Sequence, residues 1–334
     1  MNIYDISRRA GVSIATVSRV LNNNPHVSAA TRERVLTVMN ACGYVPNAFA
    51  RGLGLNTMKT IGLLCPDASD PYQARALSEL EHAFRAEGYN CLLSCTGKAL
   101  SDRAAGVEQL RGRHVDGMVL MGSSFIENEE EGNAYIRQAA EHMPVLLLNG
   151  AYSCPNVYCV LCDDRRATRE ATAYLTANGR RRILYLHHSR NYSGLRKLEG
   201  YRDGLMAAGM PVDERLITLF EGDKADAHSV RDALLALDAG GLAFDAVLTS
   251  EDTLAVGAVK YARAAGRRVP EDLMVIGYNN SAVCRYCEPE LTSVDNRLHA
   301  VCERLTATMT GVLSGEEMPQ RTVFAGELVC RASA

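Results

Sequence analysis

From residue 60 onward, short apolar runs alternate with amphipathic stretches, and this alternation limits the possible folds more than any other feature of the chain. The runs fall at 61–65, 91–94, 117–121 and 145–148, then at 183–186, 216–220, 246–249 and 274–277. Helical patterns lie between them, at 74–87, 167–178, 196–208 and 253–265. Strands that alternate with helices in this way build parallel sheets covered by helices, so the two series predict two parallel α/β sheets. A chain of 334 residues that is 47% apolar has the length for two or three domains and enough apolar surface for their cores.

Several chemistries are disfavoured. No G-x-G-x-x-G or G-x-x-x-x-G-K-[ST] follows a predicted strand, and no GxSxG or HExxH occurs, so no enzyme, dinucleotide cofactor or P-loop is expected. His187-His188 stands alone at a strand end. Of the eleven cysteines, two pairs have CxxC spacing, Cys159/Cys162 and Cys284/Cys287. The first pair lies in a predicted strand, where residues three apart face opposite sides. The second has no further ligand nearby, so no metal site is expected and buried thiols acting as small hydrophobes account for them. No apolar run approaches the roughly 18–20 residues of a membrane helix, and the start lacks a basic segment followed by an apolar one. A cytoplasmic protein with no membrane partner is expected.

The first sixty residues read differently. They hold seven Lys or Arg against two Asp or Glu, a net +5, which leaves −8 on the rest of a chain whose total is −3. A basic head on an acidic body suits a module that approaches phosphates. Asn2 can cap a helix with Asp5 at its third position, Ile3, Ile6 and Ala10 share a face, and Gly11 supplies a left-handed stop. Ser13 caps a second helix with Val17, Val20 and Leu21 inward. Ser28 starts a third, with Val35, Val38, Met39 and Cys42 at helical spacing and Gly43 after them. Three short helices with a glycine turn make a helix-turn-helix candidate. On the outer side of the second helix, Arg19 can bond guanine in bidentate fashion, Ile14 and Ala15 can meet a thymine methyl, and Thr16, Ser18 and Asn22 can donate to phosphates.

The run Tyr4-Asp-Ile-Ser-x-x-Ala-Gly-Val-Ser-x-x-Thr-Val-Ser-Arg-Val-Leu-Asn22 is followed by Val27-Ser28, Thr31-Arg32 and Gly43-Tyr-x-Pro-Asn-Ala-x-Ala-Arg-x-Leu53. Together these closely resemble the LacI/GalR family of bacterial transcription regulators, and the likeness runs to about residue 331. It implies an all-α helix-turn-helix head (1–45), a hinge helix (46–58) and an α/β body (59–334). The body would be a two-lobed, type I periplasmic-binding-protein-like fold with parallel sheets, its lobes spanning about 59–160 plus 292–325, and 161–291. It also implies DNA contacts from Tyr4, Ser13, Ile14, Ala15, Thr16, Ser18, Arg19, Asn22, Ser28, Asn47, Arg51 and Leu53, with Leu53 wedged into the minor groove at the centre of a palindromic operator. Residues 46–57 favour a short helix through Pro46 and the alanines, but Gly52 and Gly54 weaken it by about 1 kcal/mol each. A helix this short is marginal in water, which predicts a hinge that folds when two copies meet on DNA.

In open α/β sheets ligands sit beyond the carboxyl ends of the strands, which nominates 67–72, 94–98, 122–124, 149–152, 188–197, 251–252 and 279–280. The candidate effector residues there are Asp67, Pro71, Tyr72, Ser123, Asn149, Arg190, Arg196, Lys197, Glu251, Asp252 and Asn279. Some depart from the family pattern: Glu251-Asp252 replaces Asn-Asp, Asn279 replaces an aspartate, and Lys197 replaces an arginine common among members. The expected protein is a homodimeric regulator, a repressor of a carbohydrate operon, with double-stranded operator DNA and a small sugar-like effector as partners and no cofactor. The alternative is a catabolite-control-type global regulator whose corepressor is a phosphorylated carrier protein.

Overall fold

The computed structural model describes residues 2–22, 24–44 and 57–334. In the head, α1 (Ile3–Ala10), α2 (Ile14–Leu21) and α3 (Ala29–Ala41) each start on a side-chain cap. Asn2 Oδ1 accepts from the Asp5 amide and Asp5 Oδ2 from the Asn2 amide, both at 3.1 Å, a reciprocal capping box. Ser13 Oγ accepts from the Thr16 amide at 3.1 Å, and Ser28 Oγ from that of Thr31 at 3.3 Å. Gly11, with φ of +63°, ends α1 in the left-handed conformation that glycine tolerates best. Ile6, Ala10, Val17, Val20, Val35 and Met39 are buried together, with Leu21, Val38 and Cys42 half-buried around them. Helices of eight residues gain most of their stability from such packing.

In the body, a six-stranded sheet runs in the order β11-β5-β4-β3-β1-β2. Its members are β1 (Thr60–Cys65), β2 (Asn90–Cys95), β3 (Gly117–Met121), β4 (Val145–Leu148), β5 (Val157–Cys162) and β11 (Arg321–Phe324). A second sheet has the order β12-β10-β9-β8-β6-β7. It contains β6 (Ile183–His187), β7 (Ile217–Leu219), β8 (Ala246–Thr249), β9 (Met274–Tyr278), β10 (Thr292–Asp295) and β12 (Glu327–Val329). From β1 to β11 in the first sheet and from β7 to β10 in the second the neighbours pair in parallel, and β12 runs antiparallel to β10 at the edge. The first sheet buries Leu63 and Leu146 against Leu80, Phe84 and Leu305 on one face and Leu64, Leu120 and Leu147 on the other, and the second sheet has a core on each face.

Two features differ from expectation. Residues 292–295, assigned by sequence to the first lobe, pair in the second sheet through Thr292 with Ile276 and Val294 with Tyr278. Thr-Ser-Val-Asp carries no apolar run that would reveal its partner, and only afterwards does the chain pass to helix Leu298–Leu313, whose Val301, Cys302 and Leu305 enter the core of the first sheet. Three helices also begin three or more residues earlier than their apolar pattern does. Helix α4 (Pro71–Ala86) is capped by Asp70 with Pro71 in its first turn; after α5 (Leu100–Arg111) and α6 (Ala134–Ala140), helix α7 (Asp164–Ala177) is capped by Asp163 and helix α8 (Tyr192–Ala207) by Asn191. The caps extend each helix back towards the strand before it.

Helix α8 lies against α7 (Asp164–Ala177) at backbone distance. A Cβ on Gly200 would fall on the Arg165 carbonyl oxygen, and one on Gly204 would stand 2.5 Å from Thr172 Cβ. Ion pairing of Arg165 Nε with Asp203 Oδ2 at 2.5 Å clamps the same pair. We therefore expect Gly200→Ala to destabilise the body by about 1–3 kcal/mol. A lower urea midpoint at unchanged slope is the expected readout; a midpoint equal to wild type would rule out the close approach.

Candidate functional site

On α2 the inward residues Val17 and Val20 are buried, which leaves Ile14, Ala15 and Arg19 exposed on the other side; Ile14 is 39% and Tyr4, on α1, 63% exposed. Thr16, Ser18 and Asn22 are half-buried. The hydroxyls of Ser13 and Ser28 already serve as helix caps and also meet Thr16 Oγ1 and Thr31 Oγ1, each at 2.9 Å. A charged fork and two small apolar side chains on one exposed helix face can reach base edges. Asn47, Arg51 and Leu53 lie outside the described residues.

In the body, the carboxyl ends of the strands and the first turns of the helices after them surround a cavity of about 410 Å³. This lies within the roughly 300–1,000 Å³ usual for small-molecule sites. Eight expected residues line it: Asp67, Tyr72, Ser123, Asn149, Arg190, Lys197, Glu251 and Asn279. Asn149, with φ of +56°, accepts from the Cys162 amide at 3.1 Å and donates from Nδ2 to Tyr72 Oη at 2.7 Å, which fixes the phenol. Burial holds the Tyr72 hydroxyl protonated far above its ordinary range. Asn279 Oδ1 accepts from Asn296 Nδ2 at 3.0 Å.

The remaining three lie outside the lining. Pro71 is exposed at the start of α4. Arg196 points to Glu199, with Nη1 2.6 Å from Oε2 on the same helix. Asp252 is buried; it accepts from Ser293 Oγ at 2.6 Å and the Ser281 amide at 2.7 Å, tying helix Asp252–Ala264 to the strand β10 and the loop after β9. Its carboxylate is structural because both oxygens have protein donors.

Sequence reasoning missed Gln73, Ser250 and above all Lys224. Lys224 Nζ lies 2.7 Å from Asp70 Oδ2 and 2.8 Å from both Glu251 oxygens, and His188 Nε2 lies 2.7 Å from Glu251 Oε1. Lys224 follows β7, so the strand-end rule would have found it had the loop after 216–220 been included. Burial opposes the charge on Lys224, but Glu251 and Asp70 carry its pKa above the ordinary lysine value. Gln73 Oε1 is buried without a partner among the described residues. A buried orphan acceptor lining a cavity asks for a ligand donor or water. Among the described residues no three His, Cys, Asp or Glu side chains group as metal ligands.

Burial pushes the Glu251 carboxyl up, yet the His188 and Lys224 contacts outweigh it and lower the value from 4.5 to about 2. A depressed carboxylate favours the folded chain above its ordinary value, and this contribution fades as pH falls from 4.5 towards about 2. Glu251→Gln should therefore be less stable at neutral pH and lose less stability across that interval in acid titrations followed by circular dichroism. An acid limb parallel to that of wild type would contradict the assignment.

Residues 2–47 match the family described as bacterial regulatory proteins, lacI family, and residues 172–334 match a periplasmic binding protein-like domain. An HTH-type transcriptional regulator of Lachnoclostridium phytofermentans is 46% identical over 331 residues, covering 99% of this chain and 98% of that protein. Among solved structures, the complex of the transcriptional regulator CelR with cellobiose is 29% identical with a TM-score of 0.72 and covers 100% of both chains. The lac repressor dimer bound to operator and the anti-inducer ONPF superposes with a TM-score of 0.88 at 23% identity, over 100% of this chain and 98% of the other, so the fold is shared. No helix among the described residues is long and apolar enough to cross a membrane. A helix-turn-helix head and an α/β body with a polar cleft, joined in one chain that matches such a regulator end to end, make this protein a member of the LacI family of bacterial transcriptional regulators.

Proposed function

We propose that the protein is a repressor that binds a palindromic operator as a homodimer and is controlled by a small sugar-like effector in its cleft, regulating genes of carbohydrate use. The observation that carries the DNA half is the single exposed face of α2, with Ile14, Ala15 and Arg19 outward and Val17 and Val20 buried behind them. Two-fold symmetry of the dimer would require two half-sites. The working division is a reading head at 1–45, a hinge at 46–58 carrying Leu53 as a minor-groove wedge, and the effector body at 59–334.

Support for a polyhydroxylated effector comes from the lining itself. Asp67 and Glu251 offer carboxylate acceptors, Gln73 an unused one, and Tyr72 a ring face, while the relative described with cellobiose has the same fold. An effector that favours one lobe arrangement and disfavours paired hinges weakens DNA binding, and the operator weakens effector binding by the same factor. A phosphorylated carrier protein acting as corepressor would instead leave the cleft empty and strengthen operator binding.

Selection from a random duplex pool, followed by fluorescence anisotropy, tests the DNA half. We expect a palindrome, and Arg19→Ala should lose about 1–3 kcal/mol on it while changing non-specific binding less. Equal losses on both DNAs would reduce Arg19 to a phosphate contact. In gel-shift bending assays Leu53→Ala should straighten the complex and weaken it; an unchanged bend and affinity would exclude the wedge.

A further inference from the structure

Along one wall of the cleft two cations, Lys197 and Arg190, have no direct ionic partner among the described residues. Lys197 is only 8% exposed; its Nζ donates to the Ser250 carbonyl at 3.1 Å and stands 3.7 Å from the centroid of the Tyr278 ring. Neither neighbour carries a negative charge. The buried carboxylate of Asp164 is taken by the hydroxyls of Ser193 at 2.5 Å and Tyr278 at 2.6 Å. Position 279, which also lines the cleft, is an amide. Arg190 lies on the loop that leads into α8, is exposed at the lining, and forms no ion pair among the described residues. The start of α8 adds the partial positive charge of its free amides to the same wall. On the other side, by contrast, Lys224 is matched by Asp70 and Glu251.

Asp164 keeps its negative charge on the far side of the Tyr278 hydroxyl, but Lys197 makes no direct ion pair among the described residues, and a buried ammonium so placed gains from an anion at its open side. A neutral sugar would leave Lys197 in that state. We infer that the effector is an anionic polyol, a sugar bearing one carboxylate or phosphate, with the anionic group at Lys197 and Arg190 and the hydroxyls at Glu251 and Gln73. This rests on the cleft being the effector site. Lys197 and Arg190 then set specificity for charge, while the carboxylates and Gln73 read the polyol.

Isothermal titration of the full chain tests the inference with matched sets: glucose, glucuronate and glucose 6-phosphate, and galactose, galacturonate and galactose 6-phosphate. At least one anion should bind about tenfold or more tightly than its neutral parent, the scale of a charge-assisted hydrogen bond. The carboxylate and phosphate arms identify which anion the site prefers. Lys197→Met and Arg190→Gln should each shrink that ratio, weakening the anion more than its neutral parent; the exposed Arg190 gives a variant that keeps the fold if Lys197→Met does not. A neutral parent that binds as tightly as its anions, or a ratio that survives both substitutions, overturns the inference and leaves the sugar-effector reading intact. If no sugar of either kind binds at millimolar concentration, or none alters operator affinity, the sugar-effector reading itself falls and the inference with it.

Discussion

Parallel strands bring all their carboxyl ends to one edge, and each crossover helix must begin where its strand has just ended. The cleft depends on that constraint. Asp67, Asp70 and Tyr72 follow β1, Ser123 follows β3, Asn149 follows β4, Lys224 follows β7, Glu251 follows β8 and Asn279 follows β9. With Lys98 after β2 and Arg190 and Lys197 after β6, residues far apart in sequence share one cavity because eight strand ends open onto it. Several of them hold backbone conformations with positive φ, Asn149 at +56° and Asn279 at +101°. Asparagine tolerates such positions better than most residues, and it also supplies both a donor and an acceptor there.

The head solves a different problem. Two of its helices have only eight residues, too few to stand alone, so caps and a small shared core must hold them. That requirement takes polar groups out of circulation. Ser13 and Ser28 spend their hydroxyls on helix starts, whereas Arg19, exposed on the outer face of α2, serves no cap.

The sequence made most of this legible. Val145–Leu148, Gly117–Met121 and Ala246–Thr249 were readable to the residue because buried parallel strands are apolar on both faces. The head was readable because capping residues and helical spacing agree. Strand Thr292–Asp295 was not, since its polar alternation fits either sheet and only hydrogen bonding chooses. Arg196 and Lys197 looked equivalent as neighbours at a strand-end loop, yet both lie inside α8, where adjacent residues diverge by about 100°. One faces the cavity and the other Glu199. Lys224 escaped notice because its loop carries no recognisable motif; its importance lies in three contacts from residues distant in sequence.

Asp70 divides its carboxylate between two tasks. Oδ1 accepts from the amides of Tyr72 and Gln73 at 3.0 and 3.1 Å and so holds the start of a sixteen-residue helix, while Oδ2 accepts from Lys224 at 2.7 Å, on a loop that follows a strand of the other sheet. The amide it caps at Gln73 belongs to the residue whose side chain has the unused acceptor. One carboxylate therefore ties the start of that helix to a cation on the other sheet, so neither bond of Asp70 can be lost to substitution without the other.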